Sequence, residues 1–198
     1  QLIQSSFPEV GHTQEVLHII PIGYDVDGLT GVRNPVGLHA EQVHVDAHVV
    51  LGDAVTLKNM VKAVESNRVN VKSLVLQSLA SAEATLTGDE QEMGAVFVDI
   101  GAGVIDLAIY RQGRPWYSAV IPVGGNQLTK DLQVALGTSF YLAEEIKLKW
   151  GHAFPEVIPG NEEVVIPSFQ GQPRRVVQRK QIAEPLNARM IEMLKQIL

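Results

Sequence analysis

Two periods alternate along the chain. Strict alternation marks residues 41–52, where Val43, Val45, Ala47 and Val49 interleave with His44, Asp46 and His48. One face is apolar and the other polar, the pattern of a half-buried strand. An apolar run at 15–26 predicts an earlier strand. Pro21 marks an edge or a bulge in it, because proline cannot donate to a ladder. Asp27-Gly28 and Asn34-Pro35-Val36-Gly37 read as turns. Helical spacing follows at 54–69, with Leu57, Met60, Val61 and Val64 on one face. Thr56 is placed to cap its start and Asn67 its end. A strand is expected at 71–76, a small-residue helix at 79–86 and a polar surface link at 87–94.

The stretch 95–110 predicts a β-hairpin. Two apolar runs, 95–100 and 104–110, flank Gly101-Ala102-Gly103, which is too short for anything but a tight turn. A third strand is expected at 115–121. Pro122-Val123-Gly124-Gly125-Asn126 then leads into a helix, with Asn126 as its N-cap and Leu128 and Leu132 on its buried face. A further helix spans 139–150 and ends at Gly151. Antiparallel strands are expected at 164–169 and 174–179, joined by 170–173. The final helix runs from about 182, with Leu186, Met190, Leu194 and Ile197 as its apolar stripe and Arg189 and Lys195 facing water. Residues 1–13 carry no clear period.

Composition narrows the class. The 198 residues are 45% apolar and 19% charged, as in a soluble globular protein. Sixteen basic against 22 acidic residues give a net charge of −6. That balance argues against a nucleic-acid binder, which needs clustered Lys and Arg. The absence of cysteine excludes a disulfide framework and any Cys-based metal site. No apolar run approaches the roughly 20 residues of a membrane span. The chain begins with Gln and stops inside a helical pattern, so both ends read as cut from a longer protein.

The candidate chemistry gathers at the hairpin. Glycines let backbone amides close on an anion, and Asp99 is placed to hold a metal-bound water, with Asp106 on the next strand. Such a turn can cradle a nucleotide phosphate and its Mg²⁺; the same pattern also serves as an ordinary glycine turn. Gly124 and Gly125 at a helix start form a second anion seat or a plain strand–helix turn. Glu144 and Lys147, at i and i+3, are an exposed ion pair or a grip on a nucleoside. His44, Asp46 and His48 are a solvated face or a metal site. Asp25 and Asp27 start a calcium-like pattern whose later ligands are missing. Arg174, Arg175, Arg179 and Lys180, beside Arg189, suit an acidic, partly apolar peptide, or are simply a solvated surface.

The order of these features resembles the second half of an actin-like ATPase domain: acid–glycine–acid hairpin, third strand, Pro-Val-Gly-Gly-x-x-x-Thr-x-Asp-Leu, then Glu-x-x-Lys. The resemblance narrows to the bacterial cell-division FtsA family. It rests on His18-Ile19-Ile20-Pro21, Val26-Asp27-Gly28, Asn34-Pro35-Val36-Gly37 and Leu79-Ala80-Ser81-Ala82. Ile121-Pro122-Val123-Gly124-Gly125, Ala143-Glu144-Glu145-Ile146-Lys147 and Gly151 continue it, so it covers about residues 18–198. The resemblance implies an α/β fold, an actin-like (ribonuclease-H-like) ATPase lobe plus part of the inserted 1C subdomain. Residues 1–52 would belong to 1C, 53–92 to the first lobe (1A) and 93–198 to the second lobe (2A and outer 2B).

It also implies roles. Asp99, Gly101, Ala102, Gly103, Val104, Ile105 and Asp106 would form the ATP phosphate hairpin, with Asp99 holding Mg²⁺ through water. Gly124, Gly125 and Asn126 would approach the phosphates, and Glu144 and Lys147 the nucleoside. Arg174, Arg175 and Arg189 would meet the C-terminal tail of FtsZ. Partners would be FtsZ, further copies in a filament and other divisome proteins through 1C, with no nucleic acid. The location would be cytoplasmic and peripheral on the inner membrane face, through an amphipathic helix absent here. Activity would be at most a weak ATPase.

Departures from the family pattern define a second reading. The family hairpin reads DIGGGTTD. Here Ala102 replaces a glycine, so a positive φ there would cost about 1 kcal/mol. Val104 and Ile105 replace two threonines and leave only backbone donors. The alternative is an actin-like scaffold with a degenerate nucleotide site, similar to PilM. The family's first phosphate loop and its later Gly-Gly segment are not in these residues, so the chain by itself is expected to bind ATP weakly or not at all.

Overall fold

The computed structural model describes residue 11, residues 13–167 and residues 173–198. The chain forms two compact units, Gln1–Val98 with Leu107–Ala119, and Asp99–Asp106 with Val120–Leu198.

The first unit starts with strands β1 (Gln14–Val26), β2 (Leu29–Val32) and β3 (Val43–Asp53), in the sheet order β2-β1-β3. The β1–β3 register passes from Pro21↔Ala47 to Gly23↔Asp46, so the proline sits at a bulge that skips Ile22. Strand β2 was not expected, since Leu-Thr-Gly-Val is too short to show a period. Its cause is the turn before it: Asp27 and Gly28 adopt φ of 51° and 84°, the left-handed pair that a two-residue hairpin needs. Asp25 accepts from the Gly28 amide, and the Asp27 carboxylate accepts from the amides of Glu41 and Gln42. Both acids are thereby spent on backbone.

Helix α1 (Ala54–Glu65) is shorter than its period predicts. Asp53, rather than Thr56, caps it, accepting from the Thr56 amide at 2.8 Å and the Thr56 hydroxyl at 2.6 Å; Ser66 ends it. The strand expected at 71–76 does not form, because a strand exists only against a ladder partner and no described strand pairs with these residues. The Leu76 amide instead donates to His18 Nε2 at 3.0 Å. Helix α2 (Gln77–Thr85) follows. The expected polar link is in fact a helix, α3 (Gly88–Met93), closed by a reciprocal Thr87–Glu90 capping box.

Strands β4 (Ala95–Ile100), β5 (Ile105–Arg111) and β6 (Arg114–Ile121) form a second sheet with β5 in the middle. Ala82 of α2 packs with Ala108, Tyr110 and Phe97, the close approach that its small side chains allow. Arg114 donates to the carbonyls of Pro21 and Arg33, and His48 Nε2 lies 2.8 Å from Ser118 Oγ.

The second unit holds α4 (Gly125–Leu136), α5 (Phe140–Trp150), the antiparallel pair β7 (Glu163–Ile166) and β8 (Arg175–Gln178), and α6 (Arg179–Ile197). Ser139 caps α5 by accepting from the Leu142 amide. Leu132, Leu136, Ala143, Ile146, Val164, Ile166, Ile182 and Leu186 make one core. The buried residues of α6 are Ile182, Ala183, Leu186 and Met193; of the expected stripe Leu186 is buried, Met190 and Ile197 are half-buried and Leu194 is exposed. The link expected at 170–173 lies almost entirely outside the described residues. Among the described residues, no helix is long and apolar enough to cross a membrane.

Candidate functional site

The hairpin turn is anchored by its carbonyls. Gly101 N donates to Val104 O at 2.9 Å, which closes the turn. Gly125 N then donates to Gly101 O at 2.9 Å and Asn126 N to Ala102 O at 2.8 Å. A Cβ on Gly124 would stand 2.5 Å from Gly101 O and 2.8 Å from Ala102 O, so only glycine lets the chains pass. The peptides here are trans, and a trans peptide directs its C=O and the following N–H in opposite senses. With the carbonyls of Gly101 and Ala102 held on α4, the amides of Ala102 and Gly103 point away from it. Among the described residues neither amide has a hydrogen-bond partner.

Two turn residues differ from expectation. Ala102 is outside the left-handed region, so the anticipated glycine penalty does not arise. Gly103 also lacks a positive φ, and a Cβ there would meet nothing within 4 Å. Neither backbone strain nor crowding within the chain requires glycine at this position. Of the two positions without hydroxyls, Val104 is partly exposed, whereas the Ile105 side chain is fully buried and offers a ligand only its backbone.

The start of α4 is self-satisfied. Gly124, rather than Asn126, is its N-cap. The Gly124 amide donates to Gln127 Oε1, and the Gln127 amide donates to Gly124 O. With Gly125 and Asn126 bonded to the turn, the first four amides all have partners. This second anion seat therefore presents no unpaired donor; its amides hold the hairpin in place.

Asp106 is buried, at 4% exposure, and Asp99 is half-buried. Burial first, and the nearby Asp99 charge second, push the Asp106 carboxyl above the usual carboxylate range. A divalent cation would relieve both effects. Among the described residues, no group of three His, Cys, Asp or Glu side chains could hold a metal. This includes the His44–Asp46–His48 face. A cation at the hairpin would accordingly complete its shell with water and ligand oxygens.

Glu144 and Lys147 are not an exposed pair. Lys147 Nζ lies 2.7 Å from Glu144 Oε2, 2.8 Å from Thr129 Oγ1 and 3.3 Å from Gly125 O. The buried Thr129 hydroxyl also meets Glu144 Oε2 and lies 3.1 Å from Gly125 O. These hydrogen bonds, first from Lys147 and then from Thr129, hold the Glu144 carboxyl below its usual range. Beside Lys147, a cavity of about 180 Å³ is lined by Leu128, His152, Leu186 and Met190, among others. Thr129 was only one letter of the motif in the sequence; its burial and its network were not legible there.

The basic group is divided. Arg189 does not face open water: it grips Asp131 through two bonds, at 2.5 and 3.1 Å, and also pairs with Glu192. Arg179 grips Glu162 and the carbonyl of Trp150. Arg174 and Arg175 are exposed, and among the described residues no acid pairs with them.

Comparison with known proteins bears on the family and the fold. Residues 96–198 match the family described as cell division protein FtsA, and residues 3–51 match the SHS2 domain inserted in FTSA. The cell division protein FtsA of Escherichia coli is 40% identical over 179 residues, covering 90% of this chain and 43% of that protein. The Borreliella burgdorferi FtsA is 34% identical over 183 residues, covering 92% and 44%. The chain thus spans less than half the length of these relatives. Among solved structures, a PilM-PilN type IV pilus biogenesis complex aligns with a TM-score of 0.55 at 16% identity, over 75% of this chain and 41% of that one. MreB 5 of Spiroplasma citri bound to AMPPNP aligns with a TM-score of 0.54 at 19% identity, over 73% and 45%. The fold is actin-like, and the chain belongs to the family of the cell division protein FtsA.

Proposed function

We propose that the protein to which this chain belongs is a cell-division adaptor that binds Mg-ATP at the 99–106 hairpin, self-assembles in an ATP-linked way, and ties the FtsZ tail to the membrane. The observation that carries the nucleotide reading is the outward pair of amides at Ala102 and Gly103, set beside two carboxylates. Consecutive amides make a nest for a phosphate oxygen. The bare Gly103 leaves room for that oxygen to approach. Asp99 would hold Mg²⁺ through water, and Asp106 would add the second negative charge. Bound Mg-ATP supplies a polyanion and a divalent charge that suit these donors and acids. The MreB 5 neighbour is bound to AMPPNP, which supports a nucleotide as the ligand of this fold.

In this reading Gly124, Gly125 and Asn126 keep the turn in register. Glu144 Oε1 has no partner among the described residues and is the atom available for a ribose hydroxyl. The cavity beside Lys147 would take the base. Residues 1–52 are assigned to the inserted subdomain that meets other division proteins, 53–92 to the first lobe and 93–198 to the second. Arg174 and Arg175 are assigned to the FtsZ tail. The location is cytoplasmic, at the inner face of the membrane.

Titration of the full-length protein with Mg-ATP, in parallel with Val104→Thr, tests the nucleotide reading. Micromolar binding by the natural protein upholds it, because backbone donors then suffice. Binding by the variant alone would overturn it in favour of the second reading, a scaffold whose hairpin has lost its ligand. Val104 in place of a hydroxyl and the likeness to PilM are the observations on that side.

A further inference from the structure

We infer that Thr129 is a positioning residue of the hairpin seat, acting through Gly125 without touching a ligand. This rests on the nucleotide reading for its consequence, not for its geometry. Gly125 is the hinge pin between two hydrogen-bonded systems. Its N–H is given to Gly101 O in the turn. Its C=O lies 3.1 Å from Thr129 Oγ1 and 3.3 Å from Lys147 Nζ. The planar peptide unit that carries this C=O also carries the Asn126 N–H, which is given to Ala102 O; held at both polar ends, that unit keeps the Asn126 amide aimed at the turn.

The hydroxyl of Thr129 has one proton and two acceptors within reach, Gly125 O and Glu144 Oε2, and it accepts from Lys147 Nζ. Like Lys147 Nζ, it contacts all three of the other members, and its contact with Gly125 O is the shorter of the two. The residue is fully buried, so water cannot replace it. Removing the hydroxyl leaves the Lys147 and Glu144 heads to reorganise around a methyl group. Of its side-chain partners Gly125 O then keeps Lys147, the more distant one, beside its place in the α4 backbone ladder. The predicted chain of effect runs from α5, through Thr129 and Gly125, to the carbonyls of Gly101 and Ala102. The outward amides of Ala102 and Gly103 depend on those carbonyls.

Thr129→Val keeps shape and removes the hydroxyl; Thr129→Ser restores it without the methyl group. Peptide-resolved amide exchange on the full-length protein, without nucleotide, reads the geometry. The expected result is exchange at least about tenfold faster at 124–127 in Thr129→Val, the loss of roughly one hydrogen bond. Exchange in α6 should be unchanged, and Thr129→Ser should match the natural protein. Unchanged exchange at 124–127, or equal acceleration throughout the second unit, would overturn the inference, the latter because it reports only a weaker fold. Mg-ATP affinity is then read on the same three proteins. An affinity lowered about tenfold in Thr129→Val and recovered in Thr129→Ser supports the positioning role. If the natural protein binds no Mg-ATP, the nucleotide reading falls, while the exchange result still decides the role of Thr129.

Discussion

A Cβ on Gly124 would stand 2.5 Å from the carbonyl oxygen of Gly101. The atom it would strike is backbone, and that backbone already carries the Gly125 amide. Relief would require the turn and α4 to separate. Gly124→Ala is therefore expected to destabilise the protein by about 1–3 kcal/mol or more. Gly103→Ala, which meets open space at an ordinary φ, should change stability by no more than about 0.5 kcal/mol yet weaken Mg-ATP binding. Urea unfolding of the two variants provides the comparison; equal losses would show that steric contact at Gly124 is not what holds the turn.

Asp106 makes the fold pay for a charge. Its carboxyl is raised above the usual range by burial and then by Asp99. The stability it contributes is fully present below its unfolded pKa and is lost as pH rises through the folded value. Asp106→Asn is thus expected to raise the melting temperature of the nucleotide-free protein at neutral pH. That advantage should vanish in acid, where the natural carboxyl is protonated. Stabilisation by Mg-ATP, measured as a shift in melting temperature, should shrink or disappear in the same variant. A variant less stable than the natural protein at pH 7 would indicate that the carboxylate is favourably paired.

Much of this fold is visible in the chain because it is local. The alternation at 43–49, the glycine turn at 101–103 and the Ser139 cap each involve residues close in sequence. What the sequence concealed depends on distant partners. The 71–76 run looks like a strand but has no ladder to join. Four-residue β2 has no period, and exists because Asp27 and Gly28 turn left-handed. The Thr87–Glu90 capping box was a legible signal that a polar composition outweighed. At the site, the acids and glycines were legible as residue types. That α4's amides would be consumed by the turn, and that Arg189 would be taken by Asp131 at a separation of 58 residues, follows only from packing.

Glu144 gives the opposite pH signature to Asp106. Its folded pKa is depressed by hydrogen bonds from Lys147 and Thr129. The stability it contributes is present above its unfolded pKa and is lost as pH falls through the folded value. Glu144→Gln should therefore lower stability at pH 7 and flatten the acid limb of the stability curve. Chemical denaturation at pH 7 and at pH 4 checks this. An acid limb as steep in the variant as in the natural protein would mean that other carboxylates carry it.

The arginines separate a structural charge from an available one. Arg189 is a quarter exposed and bonds Asp131 through two nitrogens. Arg189→Ala should cost about 1–2 kcal/mol of stability, since it strips a charge-assisted pair that joins α4 to α6. Arg174 and Arg175 are exposed, with no acid paired to them among the described residues. Reversing both to Glu should leave stability within about 0.5 kcal/mol. The same reversal removes two positive charges and adds two negative ones, and should lower affinity for an FtsZ-tail peptide about tenfold or more, with the loss shrinking at high salt. Fluorescence anisotropy at two salt concentrations measures both. If peptide affinity survives the reversal but falls in Arg189→Ala at matched folding, the tail is read at the α4–α6 seam and not at the exposed pair on β8 and the residue before it.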